Sequence, residues 1–165
     1  VLSRGASRLT ASPEDGRENV LSLLRLHAER LTMILYQDTP LFMSEACVRA
    51  NLSGRCLRPG ADSGTSKRQP ETPASCDADP LALHGPAGEE ILALSRGCRT
   101  LVIGQQPLCW SAHLAELQDA GVAHVRADFL WRAYEPDEVR RLWHILRAGQ
   151  RVPGTHEGNW ARGLS

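Results

Sequence analysis

The sequence lacks several features that would assign a function directly. No apolar run approaches the roughly 20 residues that a membrane-spanning helix needs. Nineteen basic residues balance nineteen acidic ones. This balance disfavours nucleic-acid binding through bulk positive charge, although it does not exclude a local basic patch. No secretory apolar segment opens the chain, so we expect a cytoplasmic protein. Because the first residue is Val1 rather than Met, we expect a piece of a longer protein.

Motifs of several common active sites are also missing. The chain has no phosphate-binding P-loop, no G-x-G-x-x-G, no H-E-x-x-H and no G-x-S-x-G. No histidine is placed in the sequence so that it would lower the pKa of a thiol such as Cys47. The residues therefore do not assemble the nucleophile and base of a protease.

The most informative residues are four cysteines, which lie along the least regular stretch of the chain. Eight, nineteen and twenty-one residues separate them in turn, and they are Cys47, Cys56, Cys76 and Cys98. In a chain of cytosolic character such thiolates are more often metal ligands than disulfides. Four of them complete a closed site for zinc or for an iron–sulfur cluster, and the spacing does not choose between the two. Cys109 is predicted to be a buried or half-buried free thiol.

Strands and helices alternate in the first part of the chain. Ser12 is predicted to cap a helix, with Pro13 at its first position and Asp15 completing a capping box. The predicted elements are a strand over 8–11, a helix ending near Arg30 and a strand over 31–36.

Between Arg58 and Pro80 the pattern disappears, and the composition predicts a long loop. Two short strands, 80–84 and 89–94, could then form a hairpin around 85–88, although the second could equally be a helical turn. The last third is more regular. It predicts a strand over 100–103, a helix over 111–120 closed by Gly121, a strand over 123–129 and a helix over 136–148.

Repeated strand–helix units favour an α/β fold with parallel strands and outer helices. We therefore predict a partial TIM-type barrel, the C-terminal half, because a complete barrel needs about 250 residues. The chain is expected to be a single domain over 1–165, with a cysteine-bearing loop inserted over 57–80.

The strand over 123–129 offers the best candidate for chemistry. Alternation points Val125, Ala127 and Phe129 to one face, and His124, Arg126 and Asp128 to the other. In a barrel the polar face is the lumen, which places Arg126 and Asp128 near the catalytic rim. Alternatively, the two simply pair with each other. His124 is expected to be structural.

Two further strand ends carry polar residues that a barrel would place at the same rim. Gln105 and Gln106 follow one strand, and Tyr36, Gln37 and Asp38 end another. Each could bind a small polar ligand, although solvated loop side chains are the commoner explanation.

Several segments resemble the collagenase-like peptidase family (peptidase family U-32). They are TPLFMSEACVRANLSGRC, GCRTLVIGQQPL, DAGVAHVRADF, the upstream RLTASPEDGRENVLSLL and the closing GTHEGNWARGL. The resemblance covers nearly the whole chain. The cysteine spacing departs from that of the best-known members, chiefly at Cys76, and the N-terminal half of the barrel is absent.

The resemblance implies a TIM-type barrel with a [4Fe–4S] cluster on Cys47, Cys56, Cys76 and Cys98. It also implies oxygen-independent hydroxylation of an RNA base or a quinone precursor, with a partner subunit of the same family. The alternatives are a protease, as the family name states, and a non-catalytic scaffold stabilised by zinc or a cluster.

Overall fold

The computed structural model describes residues 4–55, 80–86, 88–96 and 98–161. These described residues form a mixed α/β structure with two four-stranded sheets, and the chain divides into two compact units. The first unit contains Val1–Asp38 and Gln106–Ser165, and the second contains Thr39–Gln105. Cys56, Cys76 and nearly all of the predicted loop over 57–80 lie outside the described residues.

The first unit is built around a central strand with parallel neighbours. Strand β2 pairs in parallel with β1 and with β8, and near its end it pairs antiparallel with β7. The elements are β1 (Leu9–Thr10), α1 (Arg17–His27), β2 (Leu31–Gln37), β7 (Leu108–Cys109), α3 (Leu114–Asp119), β8 (His124–Ala127) and α4 (Pro136–Arg147), with 3-10 turns over Ala28–Arg30 and Ser111–His113.

One face of this sheet forms the main core of the first unit. Alternate residues of β2 face the buried side of α1, and Val125 of β8 packs against the same cluster. The members of the cluster include Val20, Leu24, Leu31, Met33, Leu35, Trp110, Leu117 and Trp160. A second cluster joins the end of β2 to α4 through Tyr36, Cys109, Leu142, Leu146 and Val152.

Most sequence predictions for this unit are confirmed, but the start of α1 is not. The helix begins at Arg17 after Gly16, which makes no side-chain cap, rather than after Ser12. The Ser12 hydroxyl instead accepts a hydrogen bond from the Glu14 N–H at 3.3 Å and forms a local turn. A serine side chain that bonds the nearby backbone competes with helix formation in this way.

The second unit is an antiparallel sheet with strand order β3-β6-β5-β4. Its elements are β3 (Pro40–Ser44), α2 (Val48–Ser53), β4 (Leu81–His84), β5 (Glu90–Arg96) and β6 (Arg99–Gly104). The predicted hairpin of β4 and β5 is confirmed, whereas β3 was not predicted.

The predicted strand over 100–103 exists as β6, but its assignment to a parallel strand–helix unit is wrong. Arg96 pairs with Arg99 and only two residues lie between them. Such a short connection joins antiparallel strands, because parallel strands need a crossover of a dozen or more residues.

The described ranges contain no closed barrel, and the parallel part of the fold is limited to β1, β2 and β8. In the same part of the chain, no helix is both long and apolar enough to cross a membrane.

Candidate functional site

Two of the four predicted cysteine ligands are described, and both lie at one end of the antiparallel sheet. Cys47 sits in the turn between β3 and α2, and Cys98 sits in the turn between β5 and β6. Both are half-buried free thiols. Cys109 is a fully buried free thiol, as predicted, with its Sγ 3.1 Å from the Ser111 hydroxyl.

Several contacts tie the two cysteine-bearing turns together. Ser44 is paired with Thr100 in the sheet. The Glu45 carboxylate accepts a hydrogen bond from the Arg99 guanidinium at 3.0 Å. The Thr100 hydroxyl bonds the backbone on both sides of Cys47. Residues close to Cys47 in the sequence therefore contact residues close to Cys98, so the two turns lie side by side at one end of the antiparallel sheet.

Cys98 has an unusual backbone conformation. Its φ is +64°, and it is the one non-glycine residue with positive φ in the described part of the chain. Positive φ in two-residue hairpin loops is normally left to Asn, Asp or Gly, because a Cβ is disfavoured in the left-handed region. A cysteine at such a position suggests that its thiol is needed there.

The segment that carries Cys56 and Cys76 connects α2 to β4. Val48, the first residue of α2, is bonded to Thr100 at the cysteine end of the sheet. Leu81, the first residue of β4, is opposite Ala93 and close to the end of β5 that leads to Cys98. The described chain therefore resumes beside β5, three residues along that strand from Arg96.

Thiolates of this kind suit soft metals and iron–sulfur clusters. Among residues 4–55, 80–86, 88–96 and 98–161, no three His, Cys, Asp or Glu side chains are grouped as metal ligands. Two of the four predicted ligands lie outside those ranges. The four-cysteine site therefore stays a prediction.

A second polar site lies at the carboxyl end of the parallel strands. The Arg126 guanidinium donates to the Asp128 carboxylate at 2.7 Å and to the Thr10 hydroxyl at 3.4 Å. Arg126 pairs with Ile34 in the sheet, while its neighbour Val125 packs in the main core, so these two residues face opposite sides as predicted. The pairing register shifts between Ile34 and Tyr36, and Ala127 and Phe129 pack against the second cluster instead of sharing the core with Val125. The Arg126 side chain is half-exposed and Asp128 is mostly buried. Their catalytic role stays a prediction.

Next to this pair lies a buried carboxylate that follows β2. The Asp38 side chain is fully buried, and its two oxygens accept from Arg132 Nε at 2.5 Å and Tyr134 Oη at 3.0 Å. The Tyr134 hydroxyl also lies 3.3 Å from the Tyr36 hydroxyl. The Asp128 N–H donates to the Tyr36 carbonyl at 2.8 Å, which joins the two polar groups along the strand end.

Both tyrosines in this cluster are neutral phenols. An ordinary tyrosine is already protonated at neutral pH, and desolvation raises the pKa of Tyr36 and that of Tyr134 further. Their hydroxyls can therefore donate hydrogen bonds. Together the strand end holds two guanidiniums, two carboxylates and two neutral phenols, and each guanidinium is paired with one of the carboxylates.

The remaining candidates do not join either group. Gln105 follows an antiparallel strand, so its predicted position at a barrel rim is wrong, and Gln106 is exposed. His124 begins β8, and Gln37 ends β2, both half-buried. Sequence reasoning missed Arg132, Tyr134 and Thr100. Asp38, which directly follows a buried strand, was the available signal that a buried cation and donor would be needed.

No protein-family model, curated protein or solved structure matches this chain.

Proposed function

We propose that this chain is an iron–sulfur protein of the collagenase-like peptidase family, with a [4Fe–4S] cluster on Cys47, Cys56, Cys76 and Cys98. The observation that carries the proposal is the pair of hydrogen-bonded turns at one end of the antiparallel sheet, one of which contains Cys47 and the other Cys98. Zinc suits the same four thiolates, so it is the alternative metal.

The partial TIM-type barrel belongs to the same proposal. Strands β1, β2 and β8 are parallel, α1 connects β1 to β2 and packs on one face, and α3 directly precedes β8. Thr10 and Arg126, which are bonded to each other, lie on the opposite face. This arrangement fits a barrel segment in which the polar face is the lumen and the strand ends form the catalytic rim.

The proposed activity is oxygen-independent hydroxylation or related modification of an RNA base or a quinone precursor, in which a substrate C–H becomes C–OH, a co-substrate other than O2 supplies the oxygen atom, and that co-substrate or a separate electron acceptor takes up the two electrons. A bound cluster would supply one-electron redox chemistry. Arg126 would hold a carboxylate or phosphate of the substrate through two parallel hydrogen bonds. Asp128 would orient that guanidinium, as it already does at 2.7 Å, or accept a proton.

A protease is supported less well by the geometry. Cys109 is completely buried against the Ser111 hydroxyl, so this thiol is not presented to a peptide. No hydrogen bond between a thiol or serine nucleophile and a histidine base is present in the described ranges. Such a pair is the structural signature that nucleophilic proteolysis requires.

The activity is tested by comparing full-length Arg126→Ala and Asp128→Asn with the wild type in cells at low oxygen. Mass spectrometry measures the modified RNA base or quinone precursor, and iron analysis of the purified variants controls for cluster loading. We expect loss of product in both variants with normal iron content. Normal product from Arg126→Ala would reduce the pair to a structural contact, and peptide cleavage by cluster-free protein would favour the protease.

A further inference from the structure

The Thr100 side chain holds the backbone on both sides of Cys47. Thr100 lies in β6 and is almost fully buried. Its hydroxyl donates to the Ala46 carbonyl at 2.7 Å and accepts from the Val48 N–H at 2.7 Å. One hydroxyl group thus satisfies two backbone groups, one in the turn that follows β3 and one at the start of α2.

These two backbone groups belong to the peptide units that flank the Cα of Cys47. Fixing both peptide planes fixes the two dihedral angles of Cys47, whose φ is −83° and ψ is 116°. The direction of the Cα–Cβ bond follows from those angles. Thr100 therefore determines the direction in which the Cys47 side chain leaves the backbone. Both Thr100 hydrogen bonds are to backbone groups and not to the Cys47 sulfur.

The same contact means that the Cys47 side chain does not have to cap helix α2. Cys47 is the N-cap residue of α2, and its side chain makes no capping hydrogen bond. A helix N-terminus has backbone N–H groups that need partners from outside the helix. Thr100 supplies one such partner to Val48, so the cap position does not need a Ser or Asp, and a thiol can occupy it.

We propose that Thr100 is a positioning residue for Cys47 as a cluster ligand, an inference that rests on the proposed function. Threonine suits this task, because its branched Cβ restricts χ1 and keeps the hydroxyl in place. Groups that orient metal ligands commonly change metal retention by about 10- to 100-fold when they are removed.

The test is the rate at which a chelator removes iron from anaerobically reconstituted protein. Thr100→Val keeps the shape and removes the hydroxyl, and Thr100→Ser keeps the hydroxyl. Val102→Ala is the matched control, since Val102 is a buried residue of the same strand that makes no contact of this kind. We expect Thr100→Val to lose iron about tenfold faster than Val102→Ala. Thr100→Ser should fall between Thr100→Val and the wild type, because it loses only the χ1 restriction.

The outcomes separate this inference from the proposed function. A wild-type chain that takes up no cluster would overturn both. A wild-type chain that loads a cluster, with Thr100→Val releasing iron no faster than Val102→Ala, would overturn only the role of Thr100. If Thr100→Val does not fold, Thr100→Ala carries the comparison, because it also removes the hydroxyl, and a release rate no faster than that of Val102→Ala would then contradict the inference.

Discussion

The left-handed backbone of Cys98 leads to a prediction about stability as well as metal binding. At φ +64° a Cβ is disfavoured by about 1–2 kcal/mol relative to the right-handed region, and glycine escapes that penalty. We therefore expect Cys98→Gly to be more stable than Cys98→Ala by about 1 kcal/mol in the metal-free protein, after the larger chain entropy of glycine is subtracted. Because both variants lack the thiol, the difference between them reports only the effect of the Cβ at position 98.

Arg96 provides the matched control for this comparison. It is an exposed residue at the end of β5 and pairs with Arg99 across the same hairpin. In an ordinary strand position Gly is less stable than Ala by about 0.5–1 kcal/mol, so Arg96→Gly should have a lower free energy of unfolding than Arg96→Ala. The sign of the Gly–Ala difference should therefore reverse between positions 96 and 98.

The assay is urea unfolding of the four variants with chelator and reductant present, analysed by linear extrapolation. Both Cys98 variants should also fail to retain a full cluster on reconstitution. The reasoning about strain is refuted if Cys98→Gly is less stable than Cys98→Ala. A full cluster in Cys98→Gly would show instead that Cys98 is not a ligand.

Two further predictions concern the first unit. Arg132→Leu should lower the free energy of unfolding by about 2–3 kcal/mol, because it leaves the buried Asp38 carboxylate with only Tyr134 as a partner. Adding Asp38→Asn to this variant should recover part of the lost free energy. Urea unfolding measures both changes. Burial lowers the pKa of His156 below the ordinary histidine value of about 6.5, so the unfolded chain binds the proton more readily and the free energy of unfolding should fall as the pH drops below about 6.5. His156→Asn keeps an acceptor for the Gly158 N–H and should flatten that pH profile, and an unchanged profile would show that other groups cause it.

The regular elements could be predicted because local signals determine them. Leu31–Gln37 is a continuous apolar run of strand length, and Pro136 with Gly149 marks the ends of α4. The start of α1 could not be predicted in the same way. Both a capping box and a serine turn are compatible with Ser12, and the backbone hydrogen bond from Arg17 to the Trp160 carbonyl joins residues far apart in sequence.

The pairing of β6 was missed because strand direction is a non-local property. The apolar run over 100–103 is equally suitable for a parallel or an antiparallel strand. Only the pairing of Arg96 with Arg99 shows that β6 runs antiparallel to β5. Similarly, the cysteines could be identified from the sequence, whereas the Thr100 contacts span more than fifty residues. The partners of Asp38, which lie more than ninety residues away, required the structure for the same reason.

The central claim is that four particular thiolates hold an iron–sulfur cluster. The most direct measurement is iron, sulfide and zinc analysis of anaerobically reconstituted wild-type protein, together with Ala variants of all five cysteines. We expect about four irons and four sulfides per chain, with visible absorption that bleaches on reduction. Loading should fall in the variants of Cys47, Cys56, Cys76 and Cys98 and persist in Cys109→Ala. Stoichiometric zinc without iron, or an equal loss in Cys109→Ala, would contradict this assignment.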